Sequence, residues 1–188
     1  MVGEYMKTSV TQKIDKFVTQ VGMAGGWLLF LLTAVVCFDV ISRKFFVFQS
    51  TMMQELEWHI HTIIFFLAIP MAYLRGIHVR IDTLRGNLSQ SGKAKLEIIG
   101  LCLLAIPFTL FVFKYGIDFV VQSYVQKEGS TSMQGIHHRW IIKTIIPISM
   151  VLLFLAQIAT LIRCVQVLTG KGELPQAVDK ENFKDLSA

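Results

Sequence analysis

Four long apolar segments, separated by polar ones, dominate the chain. They cover about residues 22–41, 54–74, 98–121 and 141–162. An α-helix rises about 1.5 Å per residue, so about 20 apolar residues cross the roughly 30 Å hydrocarbon core of a bilayer. The second run reaches that length only if the turn from Gln54 to Glu57 is also helical. The pattern predicts an all-α membrane protein with four transmembrane helices in one domain over residues 22–164.

The segments outside this domain have different patterns. Apolar residues recur at helical spacing in the arm over residues 1–21, at Val10, Ile14, Phe17, Val18 and Val21. That stripe predicts an amphipathic helix, which would lie in the membrane interface or pack against a partner subunit. The first apolar run is of full spanning length and follows a polar stretch, so we interpret it as a retained helix rather than a cleaved signal. The segment over residues 165–188 is predicted to be a polar, disordered cytoplasmic tail.

The distribution of Lys and Arg predicts the orientation. With four spans, the arm, the second loop and the tail share one side and carry twelve of these residues, while the other side carries five. Cytoplasmic segments are enriched in Lys and Arg. The chain is therefore expected to lie in the bacterial cytoplasmic membrane with both termini on the cytoplasmic side.

Composition narrows the class of protein further. The chain is 53% hydrophobic and 16% charged, which is too apolar for a soluble fold of this size. Its formal charge of +5 comes from cations beside the apolar runs, which indicates contact with phospholipid rather than nucleic acid. The three cysteines lie in or beside apolar runs, and no metal-ligand or catalytic motif is present. We therefore expect no enzyme activity and no metal site.

Two pairs of ionisable residues fall at membrane depth. Asp39 and Arg43 lie four residues apart at the end of the first span, and Lys114 and Asp118 repeat that spacing in the third. We interpret both as charge pairs along one helix face that neutralise each other locally. The alternative is an ion or proton relay, but nothing ionisable continues through the middle of any span.

Small and proline residues within the spans are weaker signals. Gly22 and Gly26 form a small-xxx-small pair that would permit close helix approach. Pro70, Pro107 and Pro147 each remove a backbone hydrogen bond and favour a kink.

Both ends of the second span are dense in polar residues. Glu55, Glu57, Trp58, His59 and His61 crowd its start, and Trp58 suits the membrane interface. Its other end is Arg75-Gly76-Ile77-His78-Val79-Arg80-Ile81-Asp82, which has more charge than a membrane-flanking turn requires.

Histidines on the outer side raise an alternative function. His59, His61, His137 and His138 all fall there, and two histidines from different helices are a possible ligand pair for haem. The alternative is thus a haem-bearing membrane anchor of a redox complex. It is the weaker hypothesis, because these residues lie at helix mouths or in a loop rather than between facing spans. An unrelated four-span assembly factor or membrane enzyme is a third alternative.

Several fragments, in order along the chain, resemble the small membrane (Q) subunit of TRAP transporters, the tripartite ATP-independent periplasmic transporters. Arg43 with Phe45 and Phe46, then Gln54 to His59, then His78 to Asp82 match the family's features in sequence. Later in the chain, Glu128-Gly129-Ser130 and Arg139-Trp140-Ile141-Ile142-Lys143 with Pro147 resemble a branch that handles organic acids.

The resemblance implies a function that the composition does not. It implies sodium-driven uptake in which a soluble periplasmic protein captures the solute and a large membrane (M) subunit carries the substrate and sodium sites. This chain would extend the stationary scaffold, with no substrate site or cofactor of its own. The residues that it assigns to the subunit interface or the scaffold are Arg43, Glu55, Trp58, Arg75, His78, Arg80, Asp82 and Trp140. Glu128 and Arg139 would contact the periplasmic protein.

Overall fold

The described part of the chain consists of helices and the turns that connect them, and it contains no strand. The structure, a computed structural model, describes residues 2–46, 50–77, 88–132, 135–170, 174–175 and 178, and for residues 2–9 the backbone alone. The helices are α1 (Val2–Phe46), α2 (Thr51–Leu74), α3 (Gln90–Gly100), α4 (Ile106–Val125), α5 (Trp140–Lys143) and α6 (Ile145–Leu168), with a π-helical turn at Leu101–Ala105 between α3 and α4. Four stretches are long and apolar enough to cross a membrane: Val10–Phe46, Thr51–Leu74, Gln90–Val125 and Trp140–Leu168. The predicted fold class is confirmed.

The spans form a row rather than a closed bundle. Helices α2 and α6 occupy the middle, α1 packs mainly on α2, and α4 packs on α6. Within the most apolar stretch of the span that contains α6, 39% of the residues are buried. The corresponding share is only 11% in the spans that contain α1 and α4. We call the end with Phe46, Thr51, Val125 and Trp140 the loop end, and the opposite end the terminal end. The two edge helices therefore leave most of their surface for lipid or for other proteins.

The N-terminal arm does not form a separate interfacial helix. Its residues belong to the single 45-residue helix α1, which at about 1.5 Å per residue is about twice as long as the hydrocarbon core is thick. Val18 of the predicted stripe is buried against Tyr73 and Leu74 of α2, and Ile14 packs on the same cluster. An ion pair joins Asp15 to Arg163 near the end of α6. Part of the apolar stripe of the arm thus packs within this chain, whereas Val10 and Phe17 are exposed.

Part of the predicted disordered tail packs on the helices. Leu174 and Val178 are buried in a cluster with Ala94 of α3 and with Cys164 and Val167 of α6. The prediction of disorder came from the polar composition of the segment. It did not account for these two apolar side chains, which pack against α3 and α6 at the terminal end.

The close approach of α1 to α2 depends on Gly22 and Gly25. A Cβ atom at Gly22 would lie 2.6 Å from the Cβ of Met71, and one at Gly25 would lie 3.0 Å from the Cβ of Leu67. Nothing lies within 4 Å of the corresponding position at Gly26. The prediction that Gly22 and Gly26 permit close helix approach therefore holds for Gly22 but not for Gly26. Gly25 takes its place, because it faces α2 and Gly26 does not.

The three prolines within the spans have different surroundings. Pro107 follows the π-helical turn, in which the Ile106 N–H donates to the Leu101 carbonyl, five residues back. Pro147 lies in the first turn of α6, where a missing N–H costs little, and Pro70 is buried inside α2.

Candidate functional site at the loop end

The carboxylate of Glu55, near the start of α2, fastens the loop between α4 and α5. Its Oε1 atom accepts hydrogen bonds from the hydroxyl of Ser130 and from Nη2 of Arg139, the latter at 3.0 Å. Its Oε2 atom accepts the backbone N–H of Ile136 at 2.6 Å. Three donors from one loop thus converge on a single acidic side chain. We call Glu55, Ser130, Ile136 and Arg139 the Glu55 latch.

The backbone of the loop is closed by its own contacts. The N–H of Arg139 donates to the carbonyl of Glu128 at 3.1 Å, which brings the two ends of the loop together. Lys127 and His138, each adjacent to one of these residues, have φ values of 50° and 65°. Left-handed backbone is costly for residues with a side chain and persists where the surroundings hold it. The loop therefore has a defined shape at these positions.

Gly135 permits the close approach within the latch. A Cβ atom there would lie 1.9 Å from the Oγ of Ser130 and 2.8 Å from the Oε2 of Glu55. Neither distance is compatible with a side chain, so glycine is required for the loop to reach the carboxylate.

A second ion pair supports the same loop from α5. Lys143 donates a hydrogen bond to the carboxylate of Glu128, and this contact lowers the pKa of Glu128 below its ordinary value. The Nζ atom of Lys143 also lies 3.7 Å from the centre of the Phe119 ring, which is a favourable cation–π distance. Next to it, the rings of Trp140 and Tyr124 meet edge to face with their centres 5.5 Å apart. Helix α5 is thus held to α4 by a cation–π and an aromatic contact, and to the loop by an ion pair.

An open cleft of about 710 Å³ lies beside the latch. His59 borders it, and its Nδ1 atom lies 2.5 Å from the Glu55 carbonyl, which fits an N–H donor at that nitrogen. The lining residues are Glu55, Trp58, His59, Thr62, Phe119, Gln126, Glu128, Arg139, Ile142, Lys143 and Ile146. The four charged members of this lining are paired with each other, as Glu55 with Arg139 and as Glu128 with Lys143. The cleft is therefore electrostatically balanced, and no charged member of its lining remains unpaired.

Of the two predicted intramembrane charge pairs, one forms in the structure and the other does not. Arg43 pairs with Asp39, whose side chain is only 2% exposed. Lys114 and Asp118 are both exposed, and no ion pair links them in the described part of the chain. The Nζ atom of Lys114 lies 5.9 Å from the centre of the Tyr115 ring instead. The expected Lys114–Asp118 pair is therefore not formed.

The remaining predicted site residues lie apart from the latch or outside the described residues. The side chain of Trp58 is 75% exposed, and Arg75 is an exposed residue at the end of α2. His78, Arg80 and Asp82 lie outside the described residues. Glu128 and Arg139, which the resemblance assigns to contact with a periplasmic protein, are both engaged within this chain.

Sequence reasoning missed several members of this site. It singled out Glu55 and Arg139 but did not join them, and it gave no role to Gly135 or Ile136. Ile136 contributes a backbone N–H, which leaves no signal in side-chain chemistry. The glycines and serines between Glu128 and Ile136 were the only available sign of a tightly folded loop.

The histidines do not form a facing pair between spans in the described structure. His59 contacts a carbonyl of its own helix, His61 is exposed, and His137 and His138 are exposed in the α4–α5 loop. No group of three potential metal-ligating side chains occurs among the residues that the structure describes.

The middles of the first, second and fourth spans contain no charged residue. No Asp, Glu, Lys or Arg occurs between Phe17 and Phe38, between Trp58 and Leu74, or between Ile145 and Ile162. Together with the four apolar stretches, these features define a multi-pass membrane protein whose α4–α5 loop is held by the Glu55 latch.

Comparison with known families identifies the kind of subunit. The profile of the tripartite ATP-independent periplasmic transporters, DctQ component, matches residues 32–167. The chain therefore belongs to this family, the small membrane component of TRAP transporters. It is a component of a transporter of the bacterial inner membrane and not an enzyme, and such systems also contain a large M subunit and a periplasmic binding protein. A comparison with individually curated proteins finds no match. The family assignment gives no support to the haem-bearing alternative.

Proposed function

We propose that this chain is the stationary scaffold subunit of a sodium-coupled transporter that takes up organic acids or related small solutes. The large M subunit would carry the substrate and sodium sites, and the periplasmic protein would deliver the solute. The proposal rests on one observation: the chain is a four-span member of this family, and the middles of its two central helices, α2 and α6, contain no charged side chain. A scaffold needs rigid shape and partner surfaces, and the Glu55 latch supplies rigidity at the loop end.

The proposed orientation places the loop end in the periplasm and both termini in the cytoplasm. The support is the excess of Lys and Arg, twelve against five, on the terminal side. In that orientation the latched loop faces the periplasmic protein. Glu128 and Arg139 would then shape that surface through their internal pairs, and their contribution to docking would be indirect.

The interface roles of the remaining residues are also part of the proposal. Arg43, Glu55, Trp58 and Trp140 would fix the part of the scaffold at the loop end. Arg75, His78, Arg80 and Asp82 would fix the part at the terminal end or contact the large subunit and lipid. Replacing Arg80 and Asp82 with Ala should then reduce copurification of the two membrane subunits, and unchanged complex yield with unchanged uptake would contradict that role.

Uptake by reconstituted proteoliposomes tests the function. This chain would be combined with the large M subunit and the periplasmic protein encoded beside it, and labelled organic acids would be offered with an inward sodium gradient or an equal potassium gradient. We expect uptake that requires all three proteins and sodium. Uptake that persists when this chain is omitted, or that ignores sodium, would refute the corresponding part of the proposal.

Labelling of single cysteines tests the orientation. In a chain whose native cysteines are replaced, Thr131→Cys in the α4–α5 loop and Ser89→Cys before α3 lie at opposite ends of the row, and both positions are exposed. A membrane-impermeant maleimide added to intact spheroplasts should modify the cysteine at 131 and spare that at 89 until the cells are lysed. The reverse pattern would invert the orientation.

A further inference from the structure

The edge helix α4 exposes two charged groups within its predicted span. Asp118 and Lys114 lie seven and eleven residues before the end of α4 at Val125, within the third predicted span over about residues 98–121. Both side chains are exposed, and neither forms an ion pair with any described residue. A charged group that faces lipid within a span is costly, so such groups normally face protein or water.

The opposite side of α4 already has its contacts within this chain. The buried residues of α4 are Thr109, Gly116 and Ser123, which recur every seven residues. Gln157 of α6 donates to the hydroxyl of Thr109 at 2.9 Å, and a Cβ atom at Gly116 would lie 3.2 Å from the side chain of Ile146. Helix α6 therefore covers this side, and Lys114 and Asp118 lie on the side that no described helix covers.

The uncovered side has a regular stripe. Exposed residues follow one another at intervals of three and four, which places them on one face of the helix. We call this set the α4 stripe: Phe108, Phe111, Tyr115, Asp118 and Gln122. The three aromatic side chains are 66%, 58% and 53% exposed, in that order. Spacing of three and four residues is the pattern by which one helix packs along another.

The chemistry of the stripe fits protein better than lipid. Lipid tails provide no hydrogen bonds, whereas a neighbouring membrane helix can satisfy Asp118 and Gln122. The long side chain of Lys114 can reach towards the headgroups, but the carboxylate of Asp118 stands on a single methylene and cannot extend as far. The exposed surface of α1 differs, because it has no charged residue from Phe17 to Phe38 and suits lipid.

We propose that this chain packs against a membrane helix of the large M subunit through the α4 stripe. That helix would supply polar or charged partners for Asp118 in the stripe and for Lys114 beside it. The inference rests on the proposed function, which provides the partner. It adds the face of contact: α4 binds the large subunit, and the exposed face of α1 borders lipid.

Site-specific photo-crosslinking in the complete transporter tests the contact. The photoreactive residue p-benzoylphenylalanine would replace Phe111 or Tyr115 in the stripe, and Phe30 of α1 as a control, since Phe30 is 70% exposed on the other edge helix. The complex would be reconstituted in lipid nanodiscs, irradiated and analysed for a product that contains both membrane subunits. We expect the stripe positions to give at least fivefold more of this product than position 30.

Each other outcome overturns a defined part of the inference. If the subunits copurify but position 30 crosslinks as strongly as the stripe, the assignment of the face is wrong. Products with lipid only, or with a second copy of this chain, would also reject the M subunit as the occupant of the stripe. If the chain never copurifies with the M subunit, the proposed function itself fails and the inference fails with it.

A charge variant gives a second measurement that does not need the probe. Asp118→Asn should lower the yield of copurified M subunit at least threefold, because a buried partner cation would lose its counterion. Lys44→Gln is the control, since Lys44 is an exposed cation near the same end of the row, on α1. Equal yields from the two variants would show that Asp118 has no partner across the interface.

Discussion

The Oε1 atom of Glu55 and the Nη2 atom of Arg139 lie 3.0 Å apart, although 84 residues separate them in the sequence. This contact joins the start of α2 to the loop that precedes α5. The same carboxylate also accepts hydrogen bonds from Ser130 and from the backbone of Ile136, so three points of the loop are joined to one side chain of α2. A loop that is already ordered lowers the entropic cost of binding a partner.

Replacing the latch carboxylate should loosen the loop and lower stability. Glu55→Gln retains the size of the side chain but loses the charge that attracts Arg139, and it replaces one of the two acceptor oxygens with an NH2 donor. We expect the free energy of unfolding to fall by about 2–3 kcal/mol, as for the loss of charged hydrogen bonds that are partly buried. Thermal unfolding in nanodiscs measures it.

The matched control for this change is Glu57→Gln, two residues along the same helix. The Oε1 atom of Glu57 is buried and has no partner among the described residues, so removing its charge should leave stability equal or slightly higher. A loss from Glu57→Gln as large as that from Glu55→Gln would contradict the role of the latch.

A methyl group at Gly135 should open the latch. In Gly135→Ala the new carbon would overlap the side chain of Ser130 at 1.9 Å, so the loop must move away from Glu55. We expect a loss of about 1–3 kcal/mol, typical of overpacking, and faster proteolysis of the α4–α5 loop. Gly129→Ala in the same loop is the control, because its nearest neighbour, His137, lies at an ordinary 3.7 Å. Equal protease sensitivity of the two variants would show that the loop does not depend on Gly135.

The two glycines of the small-xxx-small pair should respond differently to alanine. Gly22→Ala places a carbon 2.6 Å from the Cβ of Met71 and should force α1 away from α2, at a cost of about 1–3 kcal/mol. Gly26→Ala meets nothing within 4 Å and should be neutral or stabilise the helix by up to about 1 kcal/mol. Comparison of the two melting temperatures tests whether Gly22 contacts α2 and Gly26 does not.

The ion pair between Glu128 and Lys143 should make stability depend on pH in the acid range. Because Lys143 lowers the pKa of Glu128, the folded chain keeps this carboxylate ionised at a lower pH than the unfolded chain does. Its contribution is complete above the ordinary pKa of 4.5 and is lost as the pH falls through the lower value of the folded state.

The measurement for this pair is the melting temperature of the wild type and of Glu128→Gln between pH 3 and 7. The wild type should be the more stable at neutral pH, and the difference should shrink as the pH falls below about 4.5. A difference that stays constant across this range would mean that the pair does not stabilise the fold.

The sequence by itself determined the class of the fold and the order of its elements. Long apolar runs have no stable alternative to helices in a bilayer, because every backbone polar group must be paired within the segment. Helical spacing also predicted the pair of Asp39 with Arg43, since residues four apart lie on the same face of a helix.

Tertiary structure decided which side chains meet across helices. The partnership of Glu55 with Ile136 and Arg139, the choice of Gly22 and Gly25 over Gly26, and the burial of Leu174 and Val178 all depend on how the helices and the loop pack. Local spacing also misled at Lys114 and Asp118, which leave each other unpaired on the uncovered side of α4. Hydrophobic periodicity reports the faces of a helix but not its neighbours, because an apolar surface in a membrane can be covered by lipid or by protein.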